Sequence, residues 1–371
     1  MKNQRIQVLF TNWVDVYNYN AQSLNAREIA LRLDPGCFQS TMFYEKTPDP
    51  RLVNVSYIKL IKIPHRLGTF RMLAALMRGQ DILFRANLIR FTYLYLTLPK
   101  AVRGRSTIIE WAEAPSRPHF IWDDSAALEK WYKFVQARIS HRVSMTSWVA
   151  ETNLEDYGLK TDRLIPVGVD TKLFGPPATR DNTAPVVLFV GTLIKRKGPH
   201  VVLMAARRFR GARFVLVGAK RGDFYLVLGR LIRKWNLTNV DILDPLPHAE
   251  LAKLMQKSDI ILHPSKVESI GKILLEGGAT GLPGLVFNNY HTPAVVDGVT
   301  GFQARDYAEL MEKLSLLIEN RDLRQRLGRQ AITLAKEFDW DVIVRQWEDV
   351  FKDVIRVERR LRLKTVLDHA N

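Results

Sequence analysis

The chain has 371 residues, 47% of them hydrophobic and 25% charged, with a formal net charge of +17. That length and apolar content fill a sizeable core and favour two domains over one. A single cysteine, Cys37, excludes an intramolecular disulfide framework and any multi-cysteine metal site, while so large a positive charge draws anions: nucleic acid, acidic lipid or phosphorylated small molecules.

Short β-branched or aromatic runs alternate with helical patterns almost throughout. In the first half, strands are expected at IQVLFT, STMFYE, DILFRA, TIIEWA, RVSMTS and RLIPVG. Helical stretches AREIALRL, RMLAALMRG and ALEKWYKFVQARIS lie between them. Such alternation predicts a parallel, doubly wound sheet. A Pro-, Thr- and Asp-rich break, DTKLFGPPATRDNTAP, reads as a linker. Alternation restarts with VVLFVG, FVLVG, VDIL, DIILHP and GLVF, and from Trp340 the pattern is helical through VIVRQWEDVFKDVIRVERRLRL.

The expected organisation is an α/β domain over 1–170, a linker over 171–184, a second α/β domain over 185–338 and a helical segment over 339–371 that packs back across the domains. With two such sheets the natural ligand site is a cleft between domains, at the carboxyl ends of the strands. Met1 to Phe10 has too short an apolar stretch for a signal peptide. FTYLYLTLP falls well short of the roughly 20 residues that span a bilayer. A cytoplasmic chain, or one resting on the inner face of a membrane, is the expectation.

Several chemistries lose ground by missing motifs. No G-x-G-x-x-G follows the first strand of either domain, and no G-x-x-x-x-G-K-[ST], H-E-x-x-H or G-x-S-x-G is present. Two stretches remain. In VVLFVGTLIKRKG a strand ends at Gly191, a short loop carries Lys195, Arg196 and Lys197, and a helix starts near Gly198. Glycines admit close backbone approach and helix starts attract anions, so this loop suits a diphosphate; a solvated basic turn is the plainer alternative.

In DIILHPSKVESIGKILLEGGATGLPG, the loop Ser265 to Ser269 follows a strand and a helix is expected over Ile270 to Thr280. Glu268 then sits in the loop and Glu276 on the helix. N–H groups near Ser269, Ile270 and Gly271 suit a phosphate, Glu276 the two hydroxyls of a ribose, and Glu268 a sugar hydroxyl. An i,i+4 pair between Lys272 and Glu276 is the competing explanation.

The order of VVLFVGTLIKRKG, FVLVGAKRG, DIILHPSKVESIGKILLEGGATGLPG and PAVVDGVTGF resembles the donor-binding domain of GT-B retaining glycosyltransferases of family 4, the glycosyl transferases group 1. The E-x7-E from Glu268 to Glu276 is that family's hallmark, and IPVGVDTKLF is similar to its hinge. The resemblance implies two Rossmann-like domains facing across a cleft, and a sugar moved with retention from a UDP- or GDP-linked donor. It implies Lys197 on the donor diphosphate, Glu276 on the ribose and Glu268 facing the transferred sugar. Ser269, Ile270 and Gly271 would supply backbone contacts, Leu246 would line the base, and Gly191 and Thr192 would flank the phosphates. Thr192 stands where the family often has arginine, leaving Arg196 to compensate. No cofactor or metal is implied beyond the nucleotide diphosphate sugar.

In the first domain, NWVDVYNYNAQSLNAREIA offers Asn18, Asn20, Gln22 and Asn25 as acceptor contacts or helix caps, with Glu110, Trp111, Glu113 and His119 further along. Asn20, Glu113 and His119 are the acceptor candidates. The acceptor is expected to be a glycan or a lipid-linked molecule, because basic amphipathic stretches such as RLGTFRMLAALMRG suit an anionic membrane. A GT-B sugar epimerase or phosphorylase is the nearest alternative. A basic nucleic-acid-binding protein is the alternative of another class, without a recognition motif to support it.

Overall fold

The structure is a computed structural model describing residues 5–16, 21–63, 68–77, 79–85, 95–99, 106–113, 134–290 and 292–370. The chain divides into two compact units, one formed by Met1–Pro166 with Trp340–Asn371 and the other by Val167–Asp339.

The first unit is built on seven parallel strands in the order β3-β2-β1-β4-β5-β6-β7. They are β1 (Ile6–Trp13), β2 (Phe38–Tyr44), β3 (Ile58–Lys62), β4 (Ile82–Arg85), β5 (Thr107–Ala112), β6 (His141–Ser144) and β7 (Arg163–Leu164). Central strands of a parallel sheet are covered on both faces, so they read as unbroken apolar runs. All four residues of β4 and all six of β5 are buried. Helices α1 (Ala21–Arg32), α2 (Gly68–Met77) and α3 (Ser147–Tyr157) connect these strands. Thr146 caps α3 by accepting from the Val149 N–H, and Gly158 ends it at φ 65°.

The long terminal helix, Trp340–Ala370, belongs to this first unit. It packs on α1 and β5, and the aromatic contacts explain why. The Trp347 ring meets Phe84 edge-on at 5.0 Å and Trp111 at 5.3 Å, and Phe351 meets Phe84 at 5.9 Å. The indole of Trp111 donates to the Ile165 carbonyl at 3.0 Å. Buried rings of this size dominate core energetics through their apolar area, here even though the Trp347 Nε1 has no hydrogen-bond partner among the described residues.

The second unit holds six parallel strands in the order β10-β9-β8-β11-β12-β13. These are β8 (Val186–Val190), β9 (Arg213–Val217), β10 (Val240–Leu243), β11 (Ile260–His263), β12 (Gly284–Phe287) and β13 (Gly301–Ala304). Counted from β8, this is the 3-2-1-4-5-6 winding of a dinucleotide-binding fold. Helices α4 (Pro199–Arg208), α5 (Phe224–Lys234), α6 (His248–Gln256), α7 (Lys272–Ala279), α8 (Tyr307–Glu319) and α9 (Arg321–Glu337) cover it, and the terminal helix of the first unit is α10. The core joins Val187, Phe189, Leu216, Ile260 and Leu262 of the sheet to Val202, Leu310 and Leu314 of the helices.

The Pro-rich segment ahead of β8 is irregular, as its composition predicts, yet it is anchored. Phe174 is buried, and the Arg180 guanidinium donates to the Thr280 and Gly281 carbonyls at 2.8 and 3.2 Å.

Candidate functional site

In the second sheet the winding reverses between β8 and β11, and ligands of such sheets bind outside the carboxyl ends at that point. Both sequence stretches singled out as chemical lie there: the loop after β8 carries Arg196 and Lys197, and the loop after β11 carries Glu268. The loops are stitched together by the Lys266 N–H, which donates to the Arg196 carbonyl at 2.9 Å. Their closeness depends on Gly198. Its φ is 76°, and a Cβ there would fall 2.2 Å from the Pro264 carbonyl oxygen. Gly198→Ala is therefore expected to lose roughly 1–3 kcal/mol from backbone strain alone, read by urea unfolding.

Glu268 is held by one oxygen. Its Oε1 accepts from Ser265 Oγ at 2.8 Å and pairs with Lys197 Nζ, while His263 Nε2 and Arg196 Nη1 stand 3.4 and 3.7 Å away. Among the described residues nothing bonds Oε2. Burial opposes the charge on this carboxylate, but His263 and Lys197 outweigh that and hold its pKa at about 2. His263 is buried and stacked on Phe189 at 6.3 Å, and burial keeps it below the usual histidine range. An imidazole that burial holds toward its neutral form thus backs a carboxylate that stays ionised at neutral pH.

Glu276 is the opposite case. It lies one turn into α7, is 4% exposed, and its nearest cation is Lys272 Nζ at 3.9 Å. Among the described residues no hydrogen bond reaches its carboxylate. Burial pushes its pKa up to about 7, with Lys272 opposing. A buried carboxylate in this condition is costly to keep and asks for hydrogen-bond donors.

Helix α7 starts at Lys272, two residues later than the sequence pattern suggests, because Gly271 takes φ 70°, ψ 66° and cannot extend it. Ile270 and Gly271 thereby lie ahead of the helix, and among the described residues their N–H groups make no hydrogen bond. Ile270 is buried and Ser269 half-buried. The hydroxyl of Thr292 donates to the Ile270 carbonyl at 2.5 Å and fixes this turn.

The remaining candidates fall around these two loops. Gly191 closes β8, its N–H donating to Val217 O at 2.9 Å, and a Cβ there would lie 3.9 Å from Lys197 Cδ. Thr192 is half-buried beside it. Arg196 is tied by Nη1 to the Val267 carbonyl at 2.6 Å, so its guanidinium spans the two loops. Leu246 is half-buried in the loop between β10 and α6.

In the first unit, Glu113 follows β5 directly and accepts from Asn25 Nδ2 at 3.1 Å. Asn25 lies inside α1, so it does not cap that helix. Asn18, Asn20 and His119 lie outside the described residues. Glu110 is committed to structure, buried between Arg85 at 2.6 Å and Arg142 at 2.8 Å, and Trp111 belongs to the core. Sequence reasoning missed His263, Ser265 and Tyr290. The first two stand in the His-Pro-Ser step between an apolar strand and Glu268, which is the signal that could have exposed them. Tyr290 is fully buried, and burial together with the nearby Glu268 charge raises its pKa.

Residues 174–334 match the family model of glycosyl transferases group 1. The second unit carries a glycosyl transferases group 1 domain. Both loops of the site fall within this group 1 domain. A D-inositol 3-phosphate glycosyltransferase of Corynebacterium aurimucosum is 30% identical over 235 residues, 55% of this chain and 55% of the relative. The chain thus matches about half the length of such curated relatives.

Among solved structures, HepE of Anabaena in complex with UDP-glucose superposes with a TM-score of 0.78 at 16% identity, over 94% of this chain and 100% of that one. A glycosyltransferase from Rickettsia africae gives 0.77 at 16%, over 95% and 99%. At such identities the likeness is one of fold. The group 1 domain and the unit before it have the two-sheet GT-B fold.

Proposed function

We propose that the chain is a retaining glycosyltransferase that moves a sugar from a nucleotide diphosphate donor to a hydroxyl of a glycan or lipid-linked acceptor. The observation that carries this reading is the Glu276 carboxylate, buried without a hydrogen bond among the described residues, one turn inside a helix whose leading N–H groups are also open. A vicinal diol donates two hydrogen bonds to such a carboxylate. A diphosphate attached to that diol belongs where Ile270 and Gly271 offer N–H groups and Lys197 and Arg196 offer charge. The Oε2 of Glu268, left open while Oε1 is locked, is positioned for a hydroxyl of the transferred sugar.

The chemical work divides accordingly. Holding donor and acceptor in register removes much of the entropic barrier. Lys197 and the N–H groups ahead of α7 stabilise charge as it builds on the departing diphosphate, so the reading needs no metal. With its pKa near 2, Glu268 stays ionised at neutral pH; it binds and orients, and does not shuttle a proton. The acceptor proton then passes to the leaving phosphate oxygen on the same face, which gives retention. The acceptor is assigned to the first unit, where Asn25 fixes Glu113 just past β5.

HepE was solved with UDP-glucose, which makes UDP-sugars the first donors to try. A thermal-shift screen over UDP, GDP and their sugars tests the reading. A true donor at about a hundred times its dissociation constant adds roughly 2.7 kcal/mol of stability. Stabilisation by no nucleotide diphosphate at all would contradict it.

A further inference from the structure

Between Met204 and Trp235 the chain carries nine arginines and lysines against one carboxylate, Asp223. Two of these cations are answered from elsewhere, Arg213 by Asp241 at 2.8 Å and Lys220 by Asp244 at 2.9 Å. Arg207, Arg208, Arg230, Arg233 and Lys234 have no ion pair among the described residues.

Folding places them together. On α5, Leu226, Val227, Arg230, Arg233 and Lys234 recur at the spacing of one helical stripe, and every one of them is exposed. The opposite side, with Leu228, Leu231 and Ile232, packs into the core. Leu226 is 54% exposed and Val227 37%, in the middle of a cationic field. Helix α4 contributes Met204, Arg207 and Arg208 from its own exposed stripe. The two stripes meet at Trp235, whose ring lies 5.1 Å from the Arg207 guanidinium and whose carbonyl accepts from Arg210 at 2.8 Å. Met204, Arg207, Arg208, Trp235 and Tyr307 line a depression of about 300 Å³ there.

We propose that this α4–α5 face docks the protein on an anionic lipid bilayer. Leu226 and Val227 enter the headgroup region, Arg230, Arg233 and Lys234 meet lipid phosphates, and the depression beside Trp235 takes one headgroup. Aliphatic tips ringed by cations are the signature of an interfacial helix, and each basic residue near the surface adds to binding. A nucleic-acid surface would interleave several exposed aromatic rings with its cations for base stacking, whereas the α5 stripe presents Leu and Val. Of the two rings beside it, Trp235 is half-buried under Arg207 and Tyr307 alone is exposed. The face also leaves the donor loops free. Helix α4 begins at Pro199, just after Gly198, and runs its ten residues, about 15 Å, away from Lys197 before reaching Arg208.

Flotation with vesicles tests the surface without donor or acceptor, so its outcome is separate from the donor reading. Phosphatidylcholine vesicles with about a third phosphatidylglycerol are compared with phosphatidylcholine alone. The wild-type chain should float with the anionic vesicles only, and high salt should release it. Exchanging Arg230, Arg233 and Lys234 for glutamine together should cut partitioning roughly a hundredfold, with the UDP thermal shift unchanged. Leu226→Ser should weaken vesicle binding and leave retention on a single-stranded RNA column as it was. Equal binding of the triple variant and the wild type would overturn the proposal, as would equal binding to neutral vesicles. So would RNA binding tighter than vesicle binding with Leu226→Ser silent in both.

Discussion

Glu276→Gln is expected to stabilise the free protein at alkaline pH and to weaken nucleotide binding at the same time. The sign follows from burial, which lifts this carboxyl from the ordinary 4.5 to about 7. A group whose folded pKa is raised binds its proton more tightly in the folded state. Its contribution is therefore fully present below about 4.5 and is lost as pH climbs through about 7. That loss is about 3 kcal/mol, and glutamine, being neutral throughout, escapes it. Urea unfolding from acid to alkaline pH should show the wild type losing this increment and the variant remaining flatter. Nucleotide affinity should move the other way, falling roughly tenfold to a hundredfold, since hydrogen bonds to a charged acceptor are the strong ones. Binding to the wild type should also release a proton near neutrality. A variant that is less stable at alkaline pH yet binds nucleotide normally would contradict the assignment.

Lys197→Ala is expected to slow nucleotide release from a UDP-sugar in the presence of acceptor by roughly a hundred- to a thousandfold, the usual cost of removing one stabiliser of developing charge. The same change strips Glu268 of its closest cation. Glu268 sits near pKa 2, so its contribution is present above the ordinary carboxylate value of 4.5 and disappears as pH falls toward 2. Losing Lys197 should cost about 2 kcal/mol at neutral pH, less than for a fully buried pair because both side chains keep some exposure. Lys197→Ala with Glu268→Ala should recover part of that stability and none of the turnover, a coupling that a double-mutant cycle reads directly. Unchanged turnover in the single variant would remove Lys197 from the mechanism.

Central strands were legible because burial on both faces writes them as apolar runs: TIIEWA is β5 residue for residue, and DIILHP contains β11. The start of the terminal helix at Trp340 was equally plain. Edge strands were read unevenly. VDIL is β10 residue for residue and RLIPVG contains β7, but β3, IKLIK, spaces its lysines off the strand period and is only partly buried, and β13, GFQA, has too few residues to mark a period. The start of α7 was misplaced because Ser-Ile-Gly carries no side-chain cap; the left-handed Gly271 sets it.

At the site, strand-end loops follow from strand–loop–helix order, which is why Lys197, Glu268 and Glu276 could be named from the sequence. Their electrostatics could not. The Lys197–Glu268 pair joins residues 71 apart, and the His263 ring behind them reads locally as one more buried strand residue. The contrast between an ionised Glu268 and a proton-retaining Glu276, eight residues along one motif, exists only once burial is known.

Calorimetric titration of UDP and of 2′,3′-dideoxy-UDP into the wild type and Glu276→Ala tests the ribose assignment most directly. The wild type should prefer UDP by roughly a hundredfold, as two hydroxyls bonded to a charged acceptor imply, and the variant should bind both alike. The same preference in both proteins would mean that Glu276 does not hold the ribose.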